Sequence, residues 1–337
     1  MIPAFPEKRQ VPAWQRELAQ AFTRPADLLS FLELDACDLA PGDVLRDFPL
    51  RVPRAFAARM RKNDPRDPLF LQVWPAAAEA QAAPGDRDDA VGDLAKLRAG
   101  GIVHKYEGRA LVLATGACAV HCRFCFRRHF PYNDHLAARD HWREALDVLS
   151  ADRSIHEVIL SGGDPLSLPD EKLAEFAEAL EFLPHVRRLR VHTRQPIVLP
   201  ERVDAALARW LARGRVRKVV VLHVNHANEL DAPTVAAIGR LRALGLPLLS
   251  QSVLMRGVND TNDALCALSE ALFESGVMPY YLHMLDRVRG TAHFRVPEAE
   301  AVALVQAASA RLPGYLVPRL VREDAGAPSK TPVWARA

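Results

Sequence analysis

Three cysteines lie within eight positions of one another in the stretch CAVHCRFC, as Cys118, Cys122 and Cys125. Soft thiolates select zinc or iron–sulfur clusters. A structural zinc would need a fourth ligand, for which His121 and His129 are the nearest candidates. An ordinary electron-carrying 4Fe–4S cluster would need a fourth cysteine, and none lies nearby. The remaining interpretation is a cluster with one iron left open for a ligand that is not protein.

Other polar segments with chemical potential follow predicted strands. The segment SGGD (161–164) follows the second strand, HTRQP (192–196) ends the third, NHANE (225–229) follows the fourth, and Asp286 follows the sixth. The cysteines follow the first strand. The carboxyl ends of parallel strands open on one face of an α/β fold, and sites assemble there. The spacing therefore predicts one shared site.

Short apolar runs that alternate with amphipathic helices predict the elements that position these residues. Asp231 and Thr261 are typical N-caps of two of the helices. Such alternation favours parallel βα units with both faces of the sheet covered. We predict an α/β fold, a partial (β/α)6 barrel, with a doubly wound open sheet as the alternative. The predicted strands cover residues 110–115, 156–161, 187–193, 216–224, 246–254 and 278–283.

The chain divides into three predicted parts. Residues 1–95 form an N-terminal helical region and linker, in which the Ala-, Gly- and Asp-rich stretch 76–93 is expected to be an exposed connection. Residues 96–315 form the barrel, and residues 316–337 form a short C-terminal segment. Lys330 lies in that segment, in a turn rich in Gly, Pro and Ser.

The composition is that of an ordinary globular protein, with 49% hydrophobic and 25% charged residues. A formal charge of +3 on 337 residues does not indicate a nucleic-acid partner. No run approaches the roughly 20 apolar residues that span a bilayer, and the amino terminus does not look like a signal peptide. We expect a cytoplasmic protein that contacts no membrane. Five cysteines here do not indicate a disulfide framework, and Cys37 and Cys266 are expected to be buried.

The spacing CxxxCxxC after a first strand, followed by SGGDPL after the second, resembles the radical S-adenosylmethionine (SAM) superfamily. That resemblance implies a 4Fe–4S cluster on the cysteine triplet, with SAM bound to the open iron. It also implies that Ser161, Gly162, Gly163 and Asp164 contact SAM. Glycine suits such a position because the absence of a side chain lets backbone groups approach closely.

Several further segments closely resemble the lysine 2,3-aminomutase family, in order from about Arg51 to the last residues. The likeness implies that Lys330 binds pyridoxal 5′-phosphate (PLP), as an amine of lowered pKa condenses readily with an aldehyde. It implies that Arg109 holds the PLP phosphate, for which a guanidinium is well shaped. The segments are CRFCFRRHF, HTRQPIVLP, VNHANE, QSVLMRGVND, LDRVRGTAHFRVP and GAPSKTP.

The same resemblance assigns the substrate L-lysine to named residues. Arg127 would bind its carboxylate, and Asp286 and Glu323 would hold its distal ammonium, because a buried cation needs a counter-charge. Gln251 would line the SAM site. The implied reaction is the migration of the amino group of L-α-lysine to the β-carbon, which gives (R)-β-lysine.

Departures from the family pattern indicate a subgroup. The zinc-binding members have a cysteine where this chain has Thr261, and none follows Lys330 here, so no zinc is expected. The tail and the segments HFPY and GVMPYYLH look most like the bacterial elongation factor P β-lysylation subgroup. That likeness implies that a ligase transfers the product to elongation factor P, that flavodoxin or ferredoxin donates the electron, and that the protein is a homo-oligomer.

Alternative functions stay open on the sequence alone. One alternative is a lysine, glutamate or arginine 2,3-aminomutase of free amino-acid metabolism. A mutase that acts on glutamate or arginine would share everything except the acidic pair. A radical SAM enzyme that modifies RNA would share the cysteine loop and would not need Lys330. A non-enzymatic zinc protein would contain no iron.

Overall fold

A ten-stranded sheet organises the part of the chain that the structure, a computed structural model, describes, namely residues 11–35 and 42–334. Each strand pairs with the strands that precede and follow it in the sequence, so the order is β1 to β10 without a reversal. The strands are β1 (Leu97–Arg98), β2 (Ile102–Tyr106), β3 (Arg109–Thr115), β4 (Glu157–Gly162), β5 (Arg188–Thr193), β6 (Arg217–His223), β7 (Leu248–Val253), β8 (Met278–His283), β9 (Arg319–Arg322) and β10 (Thr331–Pro332).

The six predicted strands are β3 to β8, and each observed boundary lies within two residues of the prediction. They pair in parallel, and β9 adds a further parallel strand from the segment predicted to be a separate tail. Antiparallel strands flank this parallel core, β1 and β2 on one side and β10 on the other. The sheet is not closed, which confirms a partial barrel, and the absence of a reversal in strand order rules out the doubly wound alternative.

Helices cover the outer face of the sheet between successive parallel strands. Side chains such as Leu149, Phe176, Leu207 and Ile238 pack from these helices against the strands in one buried cluster. The predicted N-caps are confirmed, since Thr261 accepts a hydrogen bond from a backbone N–H of its own helix, as does Asp231. The covering helices are α6 (Arg143–Ala151), α7 (Asp170–Leu180), α8 (Gln195–Val198), α9 (Ala205–Leu211), α10 (Ala232–Arg242), α11 (Asn262–Glu274) and α12 (Glu298–Ser309).

The N-terminal region forms a second apolar cluster that covers the cysteine loop. Trp14, Phe56 and Phe70 pack there together with Ala119 and Val120, which lie between the first two cysteines. The helices of this region are α1 (Ala13–Ala19), α2 (Pro25–Leu32), α3 (Gly42–Asp47), α4 (Arg54–Ala57) and α5 (Pro68–Leu71).

The middle of the stretch 76–93 is largely exposed, as its composition predicts, but Glu79 and Asp93 near its ends are buried. Cys266 is buried as predicted, and Cys37 lies outside the described residues. The division into three parts stays a prediction. None of the helices within 11–35 and 42–334 has the length and apolar character needed to cross a membrane.

Candidate active site

A cavity of about 910 Å³ runs along the concave face of the sheet. Strands β2 to β9 contribute side chains to its wall, as the curvature of a partial barrel requires. Every site residue that the family resemblance assigns lines this cavity, whereas residues 225–229, expected at the same site from their position after a strand, do not. The assigned residues are Cys118, Cys122, Cys125, Ser161, Gly162, Gly163, Asp164 and Gln251, and also Arg109, Arg127, Asp286, Glu323 and Lys330.

The cysteine end of the cavity is the loop that follows β3. Cys118, Cys122 and Cys125 are free thiols that all face the cavity. Burial raises the pKa of each thiol, that of Cys125 to about 11, because the lost hydration of a thiolate outweighs the opposing effect of Arg194 on Cys122 and of Arg127 on Cys125. A bound cationic group would compensate for the lost hydration. Three soft thiols around one cavity therefore fit an iron–sulfur cluster with a protein-free corner.

The two candidate zinc-ligating histidines are directed elsewhere. The Nδ1 atom of His121 lies 2.8 Å from the carbonyl oxygen of Pro49, and Nε2 of His129 lies 3.1 Å from that of Arg289. Neither imidazole lines the cavity. Within the described ranges, no group of three or more His, Cys, Asp or Glu side chains is placed to hold a single metal ion. The expectation of no zinc stays a prediction.

A buried ion triad holds the cysteine loop against the N-terminal region. Both oxygens of Glu79 accept hydrogen bonds from Arg123, at 2.7 and 2.5 Å, and Oε2 also accepts one from Arg128 at 2.6 Å. The two arginines flank Cys125 in the sequence. Because removing one partner of a buried pair leaves an uncompensated charge, this triad strongly constrains the loop.

The glycines after β4 are required by contact with the start of the cysteine loop. Gly162 has a φ of +122°, and a Cβ there would lie 2.5 Å from the carbonyl oxygen of Thr115. A Cβ on Gly163 would lie 2.5 Å from that of Ala117. The two loops pack backbone to backbone, so any side chain would separate them. These glycines are expected to allow a close approach of the backbone to a ligand. The structure shows a close approach of their backbone to the neighbouring loop.

Asp164 joins the β4 loop to the β5 loop. Its carboxylate accepts hydrogen bonds from the backbone N–H groups of Leu166, Arg194 and Gln195, at 2.7 to 3.0 Å, and from the hydroxyl of Thr193. Burial nevertheless raises its pKa, because the lost hydration outweighs these bonds. The carboxylate is therefore largely committed within the protein, and its contact with SAM stays a prediction.

Ion pairs connect the side chains at the lysine end of the cavity. The Nζ of Lys330 lies 2.8 Å from Oε2 of Glu323, whose Oε1 accepts a hydrogen bond from Tyr106 at 2.5 Å. Lys105 approaches the same Oε1 at 3.4 Å. Burial raises the pKa of Glu323, but the charge and hydrogen bond of Lys330 and the hydrogen bond from Tyr106 lower it more, so the pKa falls below its ordinary value.

Asp93 links this end of the cavity to the predicted carboxylate-binding arginine. Its oxygens pair with Lys105 at 2.6 Å and with Nε of Arg127 at 2.7 Å. Burial raises the pKa of Asp93, and the two cations lower it to below its ordinary value. Arg127 also donates from Nη1 to Ser161 at 3.1 Å. Its Nη2 makes no hydrogen bond to any described residue, and Arg127 lines the cavity, where a carboxylate could bind.

Asp286 lines the cavity, and its carboxyl group accepts no hydrogen bond from any described residue. Burial raises its pKa to about 7, although the charges of Lys330 and Lys105 oppose the shift. A carboxyl group in this state is half-protonated near neutral pH and gains greatly from a cationic ligand.

Two other predicted residues have side chains available for ligands. Arg109 contacts the ring of Tyr106, with its Cζ 4.5 Å from the ring centroid, and no described carboxylate pairs with it. An unpaired guanidinium and the amine of Lys330 in one cavity suit the phosphate and aldehyde of PLP. The amide of Gln251 faces the cavity and makes no hydrogen bond to a described residue.

Three neutral histidines line the middle of the cavity. Burial lowers the pKa of His192, His223 and His283, that of His223 to about 4, and neighbouring cations lower each further. The Nε2 atoms of His192 and His223 are buried without a hydrogen-bond partner in the described part of the chain. Such atoms are expected where a ligand completes the site.

Sequence reasoning missed Asp93, Lys105 and Tyr106. The last two lie in the hairpin of β2 and β3, whose signal is the run IVHKY followed by Glu107 and Gly108, with Gly108 at a φ of +74°. Asp93 has no comparable signal, because its stretch contains many aspartates without periodicity.

Comparison with known proteins gives consistent results. The family model described as "Radical SAM superfamily" matches residues 112–266. The L-lysine 2,3-aminomutase of Escherichia coli K12 is 46% identical over 322 residues, which cover 95% of this chain and 94% of that protein. That of Haemophilus influenzae is 42% identical and covers 98% of both chains. That of Buchnera aphidicola is 40% identical and covers 94% of each.

Proposed function

The chain belongs to the lysine 2,3-aminomutase family of radical SAM enzymes, whose members are isomerases, and from this premise we propose that it converts L-α-lysine to (R)-β-lysine. The observation that carries the proposal is that one cavity collects both the cysteine triplet and the Lys330 cluster. An aminomutase needs both sets of residues in one place, because the atom that is abstracted and the nitrogen that migrates belong to one substrate.

The charges of the lysine end suit a substrate with a carboxylate at one end and an ammonium at the other. Arg127 lines the cavity, and its Nη2, which makes no hydrogen bond to a described residue, is available for the carboxylate. Asp286 and Glu323 present two carboxyl groups for the distal ammonium. These acids disfavour glutamate, whose distal group is an anion, and arginine is longer than lysine. Lysine is therefore the substrate that we propose.

Glu323 already pairs with Lys330, so its role toward the substrate requires the amine of Lys330 to leave it. Tyr106 and Lys105 stay in contact with Glu323 and hold its carboxylate in place. The unpaired Asp286 offers the stronger attraction for a new cation, since its buried charge has no hydrogen-bonding partner among the described residues.

The residues also suit three bound groups. Cys118, Cys122 and Cys125 would hold a 4Fe–4S cluster, Gln251 with the β4 loop would bind SAM, and Lys330 with Arg109 would bind PLP. When bound, the cluster and SAM supply one-electron hydrogen abstraction at the β-carbon, and PLP supplies the aldehyde that carries the migrating nitrogen. The chain itself binds and orients the substrate and excludes water from the cavity. Its neutral histidines add no competing charge.

The direct test is an assay of protein reconstituted anaerobically with iron, sulfide and PLP. L-lysine, L-glutamate and L-arginine are each incubated with SAM and a one-electron reductant, and products are resolved by chiral chromatography. We expect (R)-β-lysine from L-lysine and no more than a trace of product from the other two. Conversion of arginine or glutamate at a comparable rate, or no conversion at all by iron-loaded protein, would overturn the proposal.

We also propose that the product serves elongation factor P, through a separate ligase, in the cytoplasm. The support is that the tail REDAGAPSKTP resembles the elongation factor P β-lysylation subgroup. In addition, Thr261 stands where the zinc-binding members of the family have a cysteine. We further propose a flavodoxin or ferredoxin as electron donor and a homo-oligomeric assembly. Mass spectrometry of elongation factor P from cells that lack this protein should show loss of the β-lysyl group, and an unchanged mass would contradict this destination.

A further inference from the structure

We propose that Arg194 is a positioning residue that donates an N–H···S hydrogen bond to a cluster-ligating thiolate and so makes the cluster easier to reduce. The inference rests on the proposed function, because it takes Cys122 as a cluster ligand. Arg194 follows β5 and is 6% exposed. Its Nη1 lies 2.9 Å from Sγ of Cys122, although the two residues are 72 positions apart in the chain.

Partners on several elements fix the guanidinium of Arg194. Its Nη2 donates to Oε1 of Gln72 at 2.6 Å and to Oε2 of Glu229 at 3.1 Å. The rings of Phe56 and Phe124 each lie 5.4 Å from its Cζ. Hydrogen bonds to Nη2 and the two neighbouring aromatic rings thus hold the plane of the guanidinium. In this orientation Nη1 points at the sulfur of Cys122.

The partners of Arg194 are themselves held within the core. Glu229 is fully buried, and its Oε1 accepts hydrogen bonds from the backbone N–H groups of Asn225 and His226 at 2.9 and 3.1 Å. Gln72 accepts a second hydrogen bond from Asn225 at 2.8 Å. The network therefore spans the N-terminal region, the loop after β6 and the cysteine loop. A side chain held this firmly cannot turn away when the charge on the sulfur changes.

A fixed cationic donor at a thiolate has a definite electrostatic consequence. One-electron reduction of a cluster adds one negative charge that spreads onto its thiolate sulfurs. A hydrogen bond and a positive charge at one of those sulfurs stabilise the reduced state more than the oxidised state, which raises the reduction potential. Within the described residues, Cys122 is the cysteine of the triplet whose sulfur accepts a side-chain hydrogen bond.

Three variants separate this role from simple stabilisation of the fold. Arg194→Gln removes the charge and shortens the donor, and Arg194→Lys keeps the charge but loses the planar fork. The matched control is Arg202→Lys, which alters a fully buried arginine that pairs with Asp170 and does not line the cavity. The potential of the cluster is measured by EPR-monitored redox titration of iron-loaded protein without SAM, PLP or lysine, with dithionite as the reductant.

We expect the equilibrium constant for one-electron reduction to fall at least tenfold in Arg194→Gln, a shift of about 59 mV to more negative potential. Arg194→Lys should shift in the same direction by less, and Arg202→Lys should match the wild type. If Arg194→Gln does not retain iron, Arg194→Lys decides the matter, and its potential should be more negative than that of the wild type. A wild-type potential in the deciding variant, or loss of iron in both Arg194 variants while Arg202→Lys retains it, would overturn the inference.

These outcomes differ from failure of the proposed function. Wild-type protein that binds no cluster, or an iron-loaded wild type that leaves lysine unchanged, would refute the function itself. Wild-type protein that binds a cluster and converts lysine, with an unchanged potential in the deciding variant, would refute the role of Arg194 alone.

Discussion

The two ends of the cavity prepare for charge in opposite ways. At the cysteine end, burial raises the pKa of the thiols of Cys118, Cys122 and Cys125. The neutral thiols are therefore favoured until a ligand stabilises the thiolates. At the lysine end, Lys330 already pairs with Glu323, and Lys105 already pairs with Asp93. Under the proposed function, the first end is therefore completed by binding a cationic group, whereas the second exchanges one ion pair for another. The two ends should therefore fail independently when altered.

The largest expected effect comes from removing a thiolate at the cysteine end. Cys125→Ala should bind little iron and convert no detectable lysine, because two thiolates cannot replace three. The variant should still bind PLP, since neither Lys330 nor Arg109 belongs to the cysteine loop. Iron, sulfide and PLP analysis measures the bound groups, and chromatography of the products measures the conversion of lysine.

The matched control is Cys266→Ala, in which the altered cysteine is buried in α11 and does not line the cavity. It should retain iron and activity. Lysine conversion by Cys125→Ala would show that the cysteine triplet is not required.

The converse result, retained iron with loss of bound PLP, is expected from a substitution at the lysine end. Lys330→Ala should bind iron like the wild type and lose activity by roughly 10³-fold or more, because the amine no longer holds PLP in place. Borohydride reduction followed by mass spectrometry should attach PLP to the wild type and not to the variant. Lys96→Ala, at an exposed position, is the control. Labelling of Lys330→Ala at the wild-type level would place the PLP lysine elsewhere.

A smaller effect on the lysine end should come from Arg127→Lys. Loss of one arm of a charge-assisted hydrogen bond costs about 1.5–3 kcal/mol, so KM for lysine should rise by roughly 10- to 100-fold. The variant should retain iron and PLP. Arg256→Lys, in an exposed ion pair with Glu300, should leave KM unchanged. An unaltered KM in Arg127→Lys would remove Arg127 from substrate binding.

The smallest effect concerns the pH dependence of stability. The pKa of Asp286 is about 7 in the folded protein, above the ordinary value of roughly 3.9 in an unfolded chain. The folded state binds the proton more tightly, so this contribution to stability is complete at low pH and is lost as pH rises from about 4 to about 7.

Asp286→Asn lacks that titration. In cofactor-free protein, the free energy of unfolding should therefore fall with pH more steeply in the wild type than in the variant, by about 1 kcal/mol per pH unit between pH 5 and 6. Lys330, Glu323, Lys105 and Asp93 surround the group and are unchanged in the comparison. Urea denaturation at several pH values gives both slopes, and parallel slopes would contradict the raised pKa.

Sequence patterns predicted the cysteine end better than the lysine end. The strands β3 to β8 are predicted by local apolar runs, and the cysteine loop by the spacing of its cysteines. Both signals lie within short stretches of the sequence. The lysine end depends on contacts between distant segments, such as Lys105 with Glu323, 218 residues apart. No local pattern encodes such a contact, and Lys330 and Glu323 were found only through a family resemblance.

The same reason explains what was missed at each end. Asp93 belongs to a stretch whose composition predicts an exposed loop, and only the folded chain places it between Lys105 and Arg127. Strand β9 is short and β10 contains a proline, so the sequence predicts neither as part of a sheet. Arg194 contacts Cys122 from another loop, 72 positions away in the chain.

The central claim is that the two ends act on one lysine molecule in one cavity. L-lysine deuterated at the β-carbon tests it most directly, in a reaction with iron-loaded, PLP-loaded protein, SAM and a one-electron reductant. The account predicts that recovered SAM gains deuterium at C5′ as β-lysine forms, and that neither Cys125→Ala nor Lys330→Ala gives labelled SAM. Formation of β-lysine while the recovered SAM stays unlabelled would contradict the claim.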